Sequence, residues 1–304
     1  MISIIICSRA QKISPVLSQN IEETIGCAYE FIFIDNSENT YSIFEAYNLG
    51  IKKSKGNFWC FMHDDIFIHT NNWGLELIKI FESDSKIGLI GVAGAKIKTK
   101  MPSAWFDCPE SQKLIYLQHY DKKLIKLRET GWENEKYGDV AIIDGVFMVG
   151  KKDESIKFDE RLNGFHNYDL YLSLTYRKEN YKVIVTRSVL LEHFSNGKID
   201  KSWYKSTLQF DFFYRKCLPI KVENPLIAKE LKILEFINGK QFCVNLLHYN
   251  LTSSAIKYWF RLLLLNPFSN FHLRFLLLFL RQLQATIYRY YQIIYIKNPL
   301  ASKK

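Results

Sequence analysis

Four short apolar runs, Ile2 to Cys7, Tyr29 to Ile34, Phe58 to Met62 and Gly88 to Ala93, alternate with helix-length segments through the first 95 residues. Strands this short that are apolar on both faces must be covered on both. That requirement points to βαβ units and a mostly parallel sheet with helices on both sides. The intervening segments, Ile13 to Cys27, Tyr41 to Lys53 and Asn72 to Glu82, supply the helices. Ligands of such sheets bind beyond the carboxyl ends of the strands. Here those ends read Ser8-Arg9, Asp35-Asn36, His63-Asp64-Asp65 and Ala93-Gly94, so polar residues collect where a site belongs.

Beyond this half, Ala95 to Asp139 is irregular, with Pro102, Trp105, Pro109 and Trp132, and reads as an insertion or lid. Regular patterning returns at Val140 to Val149, followed by a helix over Tyr168 to Lys178 and strands near Lys182 to Val185 and Val189 to Glu192. The predicted organisation is an α/β domain over 1–205, with a nucleotide-binding half of about 1–95 and an acceptor half of about 96–205. A helical, basic, amphipathic region follows over 206–304. At 304 residues the chain buries enough core to need no disulfide. Its six cysteines include no C-x-x-C pair, and no basic leader precedes the first strand; both features lead us to expect a cytoplasmic protein.

Charge divides the two regions. Residues 201–304 carry 16 Lys and Arg against 4 Asp and Glu, whereas residues 1–200 are slightly acidic. In the tail, Leu262 to Leu265 and Phe275 to Leu280 are too short to span a bilayer, which takes roughly 20 apolar residues. Arg274, Arg281 and Arg289 recur every two helical turns, as on an interfacial amphipathic helix. The expected partner is an anionic membrane surface, with packing on another protein face second and nucleic acid last.

The segment Phe61 to Asp65 carries the chemistry. Burying His63, Asp64 and Asp65 unpaired after an apolar strand costs several kcal/mol per charge. A divalent cation shared with a diphosphate compensates them; a loop with one capping and one solvated Asp is the plainer reading. Gly91 to Ala95 lacks the G-x-G-x-x-G spacing, and neither a Walker lysine loop nor a G-x-S-x-G elbow occurs.

The ordered set Ile2 to Arg9, Phe31 to Ser37, Ala46 to Ile51 with Ser54 to Asn57, and Phe61 to Asp65 resembles the nucleotide-binding half of family 2 glycosyltransferases of the GT-A fold. Phe158-Asp159-Glu160, Gly164 to Leu170, Tyr181 to Val183 and Glu192 to Ser195 continue the resemblance to about residue 205. Within that group the chain is similar to the branch named for a streptomycin-biosynthesis protein. The resemblance implies a GT-A-like fold, a nucleotide diphosphate sugar donor and Mg²⁺ or Mn²⁺. It implies that Ser8, Arg9 and Asp35 line the base and ribose pocket and that Asn48 holds the nucleotide side. Asp65 matches the metal-binding last acid of D-x-D, His63 stands where the first acid is usual, and Asp64 lies between them. His193 matches a histidine that completes the metal site.

Inverting transfer needs a base for the acceptor hydroxyl. The family's usual acids align with His166 and Asn167, and Asn167 cannot serve. His166 and Asp169, three apart on a helical first turn, remain as candidates, with Asp169 acting directly or orienting His166. Asp144 is a candidate acceptor contact. The expected reaction is inverting transfer to a glycan or lipid-linked acceptor in surface polysaccharide or lipooligosaccharide synthesis, by an enzyme held peripherally at the inner face of the membrane. A non-catalytic scaffold and a sugar-nucleotide pyrophosphorylase are the rival readings.

Overall fold

The computed structural model describes residues 1–121, 124–195, 197, 199–222 and 226–297, with the backbone alone at 120, 121, 124, 286 and 289–297. The chain forms two compact units, Met1–Ile227 and Ala228–Lys304.

The first unit opens with β1 (Ile2–Ser8), α1 (Pro15–Thr24), β2 (Tyr29–Asp35), α2 (Ile43–Lys53) and β3 (Phe58–Met62). Local signals set these bounds: Pro15 starts α1, and Ser42 and Glu45 form a reciprocal capping box on α2. Strands β2, β1 and β3 run parallel in that order, as the double-faced apolar pattern requires. After β3 come β4 (Ile66–Ile68), α3 (Trp73–Ser83), β5 (Ile87–Gly91), β6 (Ala93–Ala95) and β7 (Ile97–Lys98). The stretch read as irregular contains a hairpin of β8 (Lys113–Asp121) and β9 (Leu124–Thr130), then β10 (Tyr137–Asp139). The run from Val140 to Val149 divides at the Asp144 turn into β11 (Ile142–Ile143) and β12 (Phe147–Lys151). The unit closes with α4 (Tyr168–Lys178), β13 (Lys182–Thr186), β14 (Leu191–His193), α5 (Lys201–Tyr214) and β15 (Ile220–Lys221).

The main sheet has seven strands in the order β10-β13-β5-β12-β3-β1-β2. It is mostly parallel as expected, with β12 entering antiparallel between β3 and β5 and β10 antiparallel at the edge beside β13. Helices cover both faces as expected. Ile2, Ile4 and Ile6 pack with α1 and α3 through Leu17, Ile21, Trp73 and Leu77, while Ile5 packs on the other side with Phe44, Tyr47 and Leu170. A second sheet, β11-β6-β8-β14-β4 with β9 outside β8, stands beyond the end of β3.

The second unit consists of α6 (Ala228–His248), α7 (Thr252–Leu265) and α8 (Phe271–Lys297), held by Phe242, Leu246, Tyr258, Leu262 and Phe275. Among the described residues, no helix is long and apolar enough to cross a membrane.

One side chain ties the second sheet to its covering helix. Asn20 of α1 donates to the carbonyl of Ile68 at 2.9 Å and accepts from its N–H at 2.8 Å, sealing the edge of β4. Asn20→Ala leaves two buried backbone groups unsatisfied. We expect it to lower unfolding free energy by about 2–4 kcal/mol in urea melts.

Candidate active site

Strand β3 is bonded on both edges, so the chain leaves the sheet at Met62 with its polar residues grouped. The N–H of His63 donates to the carbonyl of Val146 at 3.0 Å, and the carbonyl of Asp65 accepts from Phe194 at 3.0 Å. These two bonds place the turn between the end of β14 and the Asp144 loop. Antiparallel pairing of β4 with β14 sets His193 opposite Ile66, one residue after Asp65. The His63 Nδ1 lies 3.2 Å from His193 Nε2 and 3.6 Å from Asp65 Oδ1, and His193 Nε2 lies 3.3 Å from that same oxygen.

Each of these three residues offers a ligand atom within 4.8 Å of the others. Two imidazole nitrogens and one carboxylate oxygen fit a divalent transition ion such as Mn²⁺ better than Mg²⁺, which favours an all-oxygen shell. Burial alone would raise the pKa of Asp65. Hydrogen bonds from His193, His63 and Ser195 outweigh that and hold it far below the usual carboxylate range. For His63, burial pulls downward, but its bond to Asp65 and the nearby charges of Asp65, Asp144 and Asp64 leave it raised. The His63 Nε2 meets the Tyr168 hydroxyl at 2.7 Å, which fixes the ring with Nδ1 toward the group. Gly145 makes this possible: a Cβ there would lie 2.4 Å from the Tyr168 oxygen.

The group lies in a cleft of about 910 Å³ in the first unit. Ser8, Arg9 and Asp64 line it, and the Ser8 hydroxyl donates to the Asp64 carboxylate. Asp144 also faces it, accepting from the Trp105 indole at 2.5 Å and from the Val146 N–H at 2.8 Å. Asp169 enters from the first turn of α4 and accepts from the Leu170 N–H at 2.8 Å. It keeps some surface open, but crowding by protein and then the charge of Asp144 push its pKa up to about 7.

Three expectations are not met by the geometry. His166 and Asp169 do not share a helix face, because Asn167 takes a left-handed conformation (φ 64°) and α4 begins only at Tyr168. The His166 ring lines the cleft but meets Ser202 at 3.0 Å, and burial lowers its pKa. Asp35 lies outside the cleft lining and accepts from the N–H of Ser37 at 2.9 Å. Asn48 is also outside: its amide donates to the Phe158 carbonyl at 2.9 Å and to Glu160 at 2.8 Å, and accepts from the Phe158 N–H at 2.8 Å.

The cleft also takes in Asn36, Trp105, Tyr168 and His119, to which sequence reading gave no individual role. His119 sits on β8 with its ring 5.8 Å from that of His193. Burial, and then His193, lowers its pKa. Its signal was the Leu114 to Leu117 apolar run, which reads as a strand once the two prolines upstream are set aside.

In an α/β unit, a polar cleft beyond the strand ends is where a ligand binds. The chain belongs to the glycosyltransferase-like family, whose model matches residues 3–216, well over half of the sequence. No curated protein sequence matches it significantly. Among solved structures it is similar to GalNAc-T7 with UDP, GalNAc and Mn²⁺ (12% identity, TM-score 0.48, covering 83% of this chain and 57% of that chain). It is also similar to S. aureus TarS 1-349 with UDP-GlcNAc (11% identity, TM-score 0.44, 80% of each chain). The chain thus spans little more than half the length of the GalNAc-T7 chain.

Carbon-detected NMR of the Asp169 carboxyl should show a titration midpoint of about 7. Asp144→Asn, by removing the neighbouring negative charge, should move that midpoint down. Asn48→Ala should lower stability by about 1–3 kcal/mol in denaturant melts, because its three bonds clip the chain after β12 to α2.

Proposed function

We propose that the protein transfers a sugar, with inversion by direct displacement, from a nucleoside diphosphate sugar to a hydroxyl of a glycan or lipid-linked acceptor. The observation that supports this most is the convergence in one cleft of the His63–Asp65–His193 group and the raised carboxyl of Asp169. The ordered motifs favour the GT-A fold and the streptomycin-named branch as the setting. Ser8 and Arg9, with Asn36 as their neighbour, bind the nucleotide end. Asp35 and Asn48 shape the β2 end and the α2 loop rather than touch the donor.

His63, Asp65 and His193 hold Mn²⁺, or less well Mg²⁺, and Tyr168 orients His63 for that role. When bound, the cation supplies positive charge to the departing diphosphate. Asp169 takes the proton from the attacking hydroxyl, its pKa near neutrality matching it to that task. Asp144 keeps Asp169 basic and contacts the acceptor, and His166 lines the acceptor side.

Membrane contact through the second unit is the other part of the proposal. On α8, Leu273, Leu277, Leu280 and Leu283 are exposed, as are Arg274 and Arg281; the Arg289 side chain lies outside the described residues. An exposed leucine surface with flanking arginines suits an anionic headgroup layer. It supports peripheral attachment at the inner face of a membrane and an acceptor in surface polysaccharide or lipooligosaccharide synthesis.

A panel of sugar nucleotides incubated with Mn²⁺ should reveal slow hydrolysis of one donor, abolished by chelation and by Asp65→Ala. Absence of both binding and hydrolysis across the panel sinks the reading and favours a scaffold. Asp169→Asn should cut turnover by about 10²–10⁴-fold while nucleotide affinity stays. Because Asp169 acts as the carboxylate, turnover should fall roughly tenfold per pH unit below about 7 and level off above it. Arg274→Glu with Arg281→Glu should release the protein from phosphatidylserine vesicles, and unchanged partition would refute the membrane contact.

A further inference from the structure

Beside its acids and imidazoles, the cleft carries a piece of open aromatic surface that the proposed transfer leaves unused. Phe106 lines it and is 41% exposed, whereas the other aromatic side chains of the lining are buried or partly covered. A large apolar ring left facing water gains free energy when a ligand covers it, and pockets for organic ligands present such rings. The ring is also held in place. It meets Trp105 edge to face, with centroids 5.6 Å apart and planes at 83°. The Trp105 indole donates to Asp144 at 2.5 Å, and the Trp105 carbonyl accepts from the Cys108 thiol at 3.8 Å. Across the same turn the Ala104 N–H donates to the Asp107 carboxylate at 2.7 Å, and the Asp107 N–H to the Ala104 carbonyl at 3.3 Å. The loop is thus ordered by its own bonds, which lowers the entropy cost of binding on it.

Strand order decides which reactant meets this ring. In the order β12-β3-β1-β2 across the main sheet, Ser8 and Arg9 lie at the end of β1 and His63 to Asp65 at the end of β3. Strand β12 runs the other way and pairs Phe147 with Met62, so the Asp144 turn that precedes it emerges at the same edge. The metal-competent group therefore stands between the nucleotide end and Asp144, to which Trp105 and Phe106 are tied through the indole. The ring nearest Arg9 is a different one, Phe165, with the guanidinium over it at 5.9 Å.

An aromatic ring beside a carboxylate suits a particular kind of ligand. A pyranose carries C–H groups on a flat face and hydroxyls around its rim. The electron-rich face of an aromatic ring attracts the C–H side, and a carboxylate accepts from the hydroxyls. The two Asp144 oxygens each accept one bond within the protein, from Trp105 and from the Val146 N–H, which leaves lone pairs for a ligand. Lys126 and Arg128 of β9 line the cleft as well, but polar side chains suit many ligands, and open aromatic carbon next to a carboxylate suits few. We propose that Phe106, braced by Trp105, is a platform for the apolar face of a pyranose in the acceptor, with Asp144 taking one of its hydroxyls. The group that receives the transferred sugar is then itself a sugar residue, rather than a lipid phosphate or a lipid alcohol. The inference rests on the transfer reading above.

The test measures, by ligand-observed NMR on the full chain with and without UDP and Mn²⁺, the binding of the methyl pyranosides of glucose, galactose, mannose, rhamnose and N-acetylglucosamine, with glycerol as a hydroxyl control. The platform predicts that at least one pyranoside binds and glycerol does not, and that protons on one face of the bound ring take up the most saturation and shift upfield. Phe106→Ala should weaken that binding about tenfold while UDP–Mn²⁺ still binds, and Phe106→Trp should keep it. Because the side chain is exposed, the alanine variant should retain the wild-type melting curve. Bound UDP with no pyranoside binding, or pyranoside binding indifferent to Phe106→Ala, overturns the platform and leaves the donor assignment standing. Loss of UDP affinity in Phe106→Ala, with pyranoside binding unchanged, assigns the ring to the donor and also overturns it. If UDP fails to bind but a pyranoside binds through Phe106, the donor assignment falls and the platform stands.

Discussion

A strand bonded on both edges and apolar on both faces cannot carry charge, so β3 delivers His63, Asp64 and Asp65 together where it ends. Desolvation there has to be answered by partners brought from elsewhere in the chain. Ser8 answers Asp64, while His193 and His63 answer Asp65. The partner for Asp65 comes on β14, which is possible only because β4 turns back from Asp65 and pairs with it. The second sheet is therefore built outward from the same residues whose burial it compensates, and β8 and β9 are its continuation.

This construction gathers carboxylates in the cleft. Acids converge from the β3 end, the Asp144 turn and α4, close enough that Asp144 contributes to the raised pKa of Asp169. Asp65, less crowded by protein, moves the other way because imidazoles and a hydroxyl donate to it. Two carboxylates in one cavity thus hold different protonation tendencies. The difference lies in both the deeper burial of Asp169 and the hydrogen-bond donors gathered on Asp65.

Much of the first half was legible in the sequence. The runs ending at Cys7, Ile34 and Met62 became β1, β2 and β3 because an apolar strand with no polar face has few other stable places, and Ser8, Arg9, Asp64 and Asp65 reached the cleft. The Val140 to Val149 run hid a turn and a reversal of direction, since an apolar pattern does not record which way a buried strand runs. Asn48 sits in a segment that resembles a nucleotide site, yet its amide is spent on Phe158 and Glu160, 110 and 112 residues away. The hairpin carrying His119 and Lys126 was read as a lid because prolines upstream masked its alternation.

What the sequence by itself determined was the α/β class, the strand ends that carry polar residues, the family pattern over the first two thirds and a basic amphipathic tail. These follow from local period, composition and motif order, all of which are properties of neighbouring residues. Tertiary structure decided that His63 joins Asp65 and His193, that Tyr168 and Gly145 aim its ring, and that Asn167 breaks the helical phase between His166 and Asp169. It also decided that β9 cations face the cleft. Each of these depends on strand register or on a backbone turn between distant segments, where a shift of one residue reverses the face a side chain presents.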